Sequence, residues 1–229
     1  LVPIAVVQVA VAAAAAGGGV WRVPCPDLFE GGSVDLMVIR VAVVFYRAQV
    51  PLANPAKGDF LSVLIVAEHD NESLNSATLN SVTAANVIGG DIHILVAGHN
   101  CASVAEQAAK VAGVSKVLNA DSSAYEHALA ENVGLLISDI GSSYSHILAT
   151  STTNAKNIMP RAAALLDVQA ISDISAVIDS ETFKRPIYAG NVIATVKSSD
   201  SIKVITVRGT AFDGAPDSGG SAAIESVSS

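Results

Sequence analysis

Short apolar runs alternate with amphipathic stretches through the middle of the chain. Residues 61–67 (LSVLIVA), 92–97 (IHILVA), 116–120 (KVLNA) and 146–151 (HILATS) are brief and mostly apolar. They lack strict polar alternation, the pattern of strands buried on both faces. Helical spacing lies between them. Ser73 is placed to cap a helix running to about Val87, with Leu74, Val82, Ala85 and Ile88 near one face and Gly89-Gly90 at its end. A second helix spans 103–112, where Val104, Ala108, Val111 and Ala112 share a side. A less regular helical stretch covers 124–140. Ala155, Ile158, Met159, Ala162, Leu165 and Leu166 then follow the i, i+3, i+4, i+7 rule. Pro160 falls inside that pattern, which predicts that the regular helix begins near the proline, where the first turn tolerates it.

From Val168 to Val207 the helical period stops. Four β-rich stretches follow: VQAISDISAVID, TFKRPIYAG, NVIATVKS and SIKVITVRG, with Gly190-Asn191 as a tight turn. Successive βα units predict an α/β fold, a three-layer arrangement around a parallel sheet with right-handed crossovers. The late strands are expected to form hairpins that extend the sheet or pack beside it.

The ends differ from this middle. Residues 1–59 hold two apolar runs, about 16 residues from Leu1 and a shorter one over 34–46 that carries Asp35 and Arg40. A spanning helix needs roughly 20 residues, so neither is expected to cross a membrane. From Met37 to Phe60 the chain bears Arg40, Arg47 and Lys57 and no acid before Asp59. Acid-poor, Arg-bearing leaders mark mitochondrial import. The segment is thus either a presequence starting at Met37 or an irregular extension. Residues 209–229 are rich in Gly, Ser and Ala without apolar period, and are expected to be a flexible linker.

Charge and composition narrow the function. Thirteen Lys+Arg against twenty-one Asp+Glu give a formal charge of -8, without the basic stripe that nucleic acid requires. Cys25 and Cys101 are too few and too far apart for a disulfide scaffold or a zinc site. His69, His93, His99, His127 and His146 form no metal-ligand spacing; His93 and His146 read as core or strand-end residues. No nucleophile elbow or phosphate loop is present, so no catalytic, cofactor-binding or metal residue is assigned. The best small-molecule candidate is the loop from Thr150 to Asn157 (TSTTNAKN). It lies beyond a strand's carboxyl end, with a helix start and Lys156 to attract phosphate. The alternative is that this loop is empty or packs on a partner. Arg161 and Arg185 are expected to pair with a carboxylate such as Asp173, or to meet another subunit.

Several segments, in order, resemble the electron transfer flavoprotein alpha subunit. They are LIVAEHDNESLNSATLNSVTAA (64–85), LVAG (95–98), KVAGVSKVL (110–118), NIMPRAAALLDVQAISDI (157–174), FKRPIYAGN (183–191) and VKSSDSIKVITVRGTAFDGA (196–215). The resemblance covers about 62–229. It implies a sheet of the adenine-nucleotide alpha-hydrolase-like type over 60–208. It also implies a heterodimer with a beta subunit, an FAD carried by the pair, and AMP on the beta subunit. Electrons would pass from acyl-CoA dehydrogenases to a quinone oxidoreductase in the mitochondrial matrix. The chain would be an electron carrier component and not an enzyme. The family's flavin-binding Arg, Ser, Thr, Gln and His residues belong to a C-terminal domain whose Gly-rich motif does not follow Gly209 here. The resemblance therefore places no FAD residue on this chain, which reads as a fragment or a truncated product. Two other readings are a stand-alone nucleotide-binding module of stress-protein type, using Thr150–Asn157, and a flavin-free remnant that binds the beta subunit.

Overall fold

A computed structural model of the chain describes residues 61–228. The expectations for residues 1–59, including the start at Met37 and the two apolar runs, lie outside the described residues.

Five strands and four helices alternate first: β1 (Ser62–Val66), α1 (Ala77–Ile88), β2 (Asp91–Gly98), α2 (Ala102–Ala109), β3 (Lys116–Asp121), α3 (Ala130–Gly141), β4 (His146–Thr150), α4 (Thr153–Leu165) and β5 (Ala170–Ile174). Next come β6 (Ala176–Val177), β7 (Thr182–Ile187), β8 (Val192–Lys197), β9 (Lys203–Val207) and β10 (Ala223–Ser226). Seven strands form one parallel sheet in the order β10-β3-β2-β1-β4-β9-β5. β6, β7 and β8 form a separate antiparallel sheet.

Period-two alternation divides the apolar strand residues between two cores. Val63, Ile65, Ile94, Val96 and Leu148 pack with Val82 and Ile88 of α1 and Val104 and Ala108 of α2. Leu64, Leu95, Ile147 and Ala149 pack with Leu136 and Ile137 of α3 and Ile158, Met159 and Ala162 of α4. This is the expected three-layer α/β fold. Among the described residues no helix is long and apolar enough to cross a membrane.

Four local expectations are corrected. Ser73 does not cap α1. Its backbone N–H and hydroxyl both donate to the Asp70 carboxylate, closing a turn ahead of a helix that starts at Ala77. The 124–140 stretch is not one helix: a single 3₁₀ turn at Ser123–Tyr125 precedes α3, and Ala128 at φ +47° breaks the path. α4 begins at Thr153, well before Pro160, because the Thr152 side chain accepts from the Ala155 N–H (3.2 Å). Pro160 lies on the exposed face of α4, as does Lys156, whose carbonyl loses the N–H that a proline cannot supply. Finally, β5 and β9 are not hairpin strands. β9 inserts between β4 and β5, where Val204, Ile205, Thr206 and Val207 are all buried. The hairpins that do form beside the sheet are the short β6–β7 pair and the β7–β8 pair, the latter turning at Tyr188–Gly190.

Residues 209–228 lie along the body. The Ala215 N–H donates to the Leu79 carbonyl, the Ala112 N–H to Pro216, and the Ala222 N–H to Ala109. β10 then pairs with β3 although its residues are all exposed. A solvent-facing edge strand held by backbone bonds carries no apolar pattern, which is why composition alone suggested a linker.

Candidate functional site

The carboxyl ends of β1, β2 and β4 converge on a cleft. Val66, Ala97, Ala149, Ile158 and Met159 form its apolar wall, and Glu68, His69 and Asn154 bring polar groups to it. This is the place the sequence reading assigned to the Thr150–Asn157 loop. That loop resolves into the last residue of β4, a two-residue link and the first turn of α4. Thr150 lines the cleft, but its hydroxyl is engaged with α1. Its hydroxyl donates to the Ala77 carbonyl (2.6 Å) and shares a bond with the buried Ser81 hydroxyl (2.8 Å), tying β4 to α1. Thr150→Val would leave the buried Ser81 hydroxyl without this partner and remove a bond to the Ala77 carbonyl. We expect it to lower stability by about 1–3 kcal/mol, read as a lower midpoint in urea melts; Ser81→Ala with Thr150→Val together should cost less than the sum.

The donor set of this cleft does not suit FAD or another phosphate-bearing ligand. Among the described residues lining it there is no Lys or Arg, and Glu68 presents a carboxylate. Burial pushes the His69 pKa down, toward the neutral ring, whose Nδ1 accepts from the Asn71 N–H (3.1 Å). Lys156 is exposed on α4 and does not line the cleft.

The structure separates the arginines from their expected carboxylate. Asp173 pairs instead with Arg208, at the end of β9, whose Nε donates at 3.0 Å and whose Nη2 donates to the same oxygen. Asp173 sits at φ +59°, where the β5–β9 register shifts between Ile171 and Ile174. Burial works to raise its pKa, but bonds from Arg208, aided by the charges of Arg208 and Lys156, bring it below the usual range. Arg161 lies along Gly134 of α3. Arg185 stands in β7, its buried Nε without a hydrogen-bond partner among the described residues.

The histidines serve separate local roles. His93 Nδ1 meets the Tyr144 hydroxyl (2.8 Å) with the two rings edge to face. His99 stands 3.8 Å from Asp121. His146 opens β4 and is 1% exposed. Among the described residues no group of three or more His, Cys, Asp or Glu is placed to hold a metal.

The second candidate surface is the β7–β8 hairpin. Cross-strand pairs Phe183–Val196, Arg185–Ala194 and Ile187–Val192 share one face. At its base Phe183 is fully buried in the α1-side core. Toward the tip Val192 is 45% and Tyr188 78% exposed, while Ile193 on the other face is 56% exposed. The hairpin therefore overhangs the body as an apolar arm. Its turn is held by positive φ at Tyr188, Ala189 and Gly190. Sequence reasoning marked Arg185 and the turn, but apolar residues of an overhanging hairpin look the same in sequence as buried ones.

Comparison with known proteins accords with this architecture. The electron transfer flavoprotein domain family matches residues 63–229. The electron transfer flavoprotein subunit alpha of Pseudomonas aeruginosa is 62% identical over 168 residues, covering 73% of this chain and 54% of the relative. The mitochondrial alpha subunit of Dictyostelium discoideum is 49% identical over 179 residues, covering 75% and 50%. That of Paracoccus denitrificans is 50% identical over 160 residues, covering 69% and 52%. The chain spans about half the length of the curated relatives it matches. With most of the chain matched, and at these identities, it belongs to the electron transfer flavoprotein family.

Proposed function

We propose that this chain is the scaffold half of an electron transfer flavoprotein alpha subunit. In this reading it packs against a beta subunit through the overhanging β7–β8 arm and shapes the face on which a flavin-bearing domain rests. The observation that carries the proposal is that arm: Tyr188, Val192 and Ile193 extend apolar surface past the body, and Arg185 leaves a buried donor unmet, as an interface lacking its partner does. The pair would hold FAD and move electrons from acyl-CoA dehydrogenases toward the quinone pool, with AMP on the beta subunit. The redox chemistry belongs to the flavin, and this domain places it. Its compartment in this reading is the mitochondrial matrix. The Dictyostelium relative's name places that protein in the mitochondrion, which supports the organelle, whereas the Pseudomonas relative is bacterial.

Co-expression with an electron transfer flavoprotein beta subunit tests the proposal. The two chains should co-elute in size-exclusion chromatography. Ile193→Asp should weaken the complex by about tenfold or more, the scale of an interface hot spot, without changing the circular dichroism of the free chain. Elution of the two chains apart at micromolar concentration would overturn it. The cleft gives a separate expectation. With Glu68 in its lining and no cation there, AMP titrated into the chain should give no heat of micromolar binding by calorimetry. A clear isotherm would favour the nucleotide-binding module instead.

A further inference from the structure

His146 joins three parts of the molecule that are distant in sequence. Its ring is buried at the start of β4. Nε2 lies 2.6 Å from the Ser180 carbonyl, in the turn between β6 and β7. A carbonyl only accepts, so Nε2 must carry the proton. Nδ1 lies 2.9 Å from the Ser145 hydroxyl. That hydroxyl also stands 2.8 Å from the Ser62 carbonyl at the start of β1, and it accepts from the Ser62 N–H (3.2 Å). One hydroxyl proton thus has two acceptors. With a neutral ring it serves Nδ1; with a doubly protonated ring it must turn to Ser62. Nε2–H donates to Ser180 in both states, so charging acts on the seat through the cost of holding a charged ring in the core. The ring is the side-chain bridge between the parallel sheet and the turn at the base of the arm.

We infer that His146 is a proton-operated latch that seats the small β6–β8 sheet on the parallel sheet when neutral and loosens it when charged. A charged ring here is buried, and the cost of burying charge is met only by a partner. Lys203, its register partner on β9, opposes the charge, and Glu181 of the turn favours it. Asp179 of the same turn accepts from the Glu181 N–H. α1 and β1, which pack nearby, contain no charged side chain. Burial first, and Lys203 after it, hold the His146 pKa below 6.5, against the opposing pull of the Ser180 bond and Glu181. The sign follows: the unfolded chain takes the proton first. The latch is fully effective above about pH 6.5 and is lost as pH falls through the lower folded value.

The consequence for a partner rests on reading the arm as the beta-subunit surface, but the latch itself can be tested on the free chain. Amide exchange by NMR should be followed at Ile178, which donates to Thr182, and Ser198, which donates to Glu181. After correction for intrinsic exchange chemistry, both should open about fivefold more readily at pH 5.5 than at 7.5, while Ile65 and Leu95 of the parallel sheet do not change. His146→Gln keeps an amide donor and an acceptor without titrating, and should make exchange at Ile178 and Ser198 independent of pH. Direct titration of the His146 ring in the unaltered chain should give a midpoint below 6.5. A midpoint at or above 6.5, or the same acid response in the glutamine variant, would overturn the latch while leaving the beta-subunit proposal standing. Failure to bind the beta subunit with an intact pH response would do the reverse.

Discussion

Replacing Gly90 by alanine is expected to destabilise the chain by roughly 4 kcal/mol or more, among the largest effects a single substitution produces. Two terms add. Gly90 stands at φ +93°, where an L side chain is strained. A Cβ built there would also land on the Leu61 carbonyl, a backbone atom that cannot swing aside. That carbonyl accepts from the Asp91 N–H (3.0 Å), next to the Ser62–Asp91 pair that sets the β1–β2 register. Moving it disturbs the centre of the sheet. Gly89 is the control. It has nearly the same φ, +88°, yet an added Cβ meets nothing within 4 Å. Gly89→Ala should therefore cost only about 1 kcal/mol, the backbone part alone. Paired thermal melts check this. Equal losses at the two glycines would show that close approach to Leu61 is not what fixes Gly90.

The contrast between these neighbours bears on what the sequence could reveal. Gly89-Gly90 read correctly as a helix stop, because positive φ is a local property that glycine announces. β1 to β4 and the faces of α1, α2 and α4 were legible for a similar reason: period and run length are local, and Val63, Ile65, Val82 and Ile88 follow them into the core. Ser73 misled because a serine that closes a turn on Asp70 looks like one that caps a helix. Pro160 misled because only its exposure makes a mid-helix proline tolerable. The place of β9 depended on which neighbours would receive it. Its run KVITV, with Val204, Ile205 and Val207 and no strict polar alternation, resembles β1 (SVLIV), and that signal, followed consistently, points to the parallel sheet instead of a hairpin.

The site was less legible than the fold, since every part of it is non-local. Asp173 meets Arg208 across 35 residues, and His146 meets Ser180 across 34. Nothing in the neighbourhood of Arg185 told it apart from Arg208 as the partner of Asp173. The Thr150–Asn157 loop was correctly placed beyond a strand end, but the use of Thr150 to tie down α1 was decided by Ala77 and Ser81, more than sixty residues away. The polar residues that sequence marked for ligand contact are in part occupied in holding the scaffold together.

Phe183→Ala is expected to remove both stability and partner binding. Phe183 is the largest fully buried side chain among the described residues and the one through which β7 enters the α1-side core. Truncating a buried Phe leaves a cavity as well as losing its transfer energy, together about 3–5 kcal/mol. For a domain of this size that lowers the melting temperature by roughly 10 °C. Because the small sheet has so few other anchors of this kind, the loss should concentrate at the arm. The Ser175 N–H to Lys184 carbonyl bond (2.7 Å) and the pairing of β6 with β7 would open before the parallel sheet does. Co-elution with the beta subunit should then fail at concentrations where the unaltered chain binds. Phe183→Leu restores most of the volume and should recover binding along with stability. Ile193→Asp makes the complementary case, with binding lost and melting temperature unchanged, since Ile193 faces solvent. If Phe183→Ala melts early yet still binds as tightly as the unaltered chain, the arm is not the surface that the beta subunit grips, and the interface must be sought elsewhere on the body.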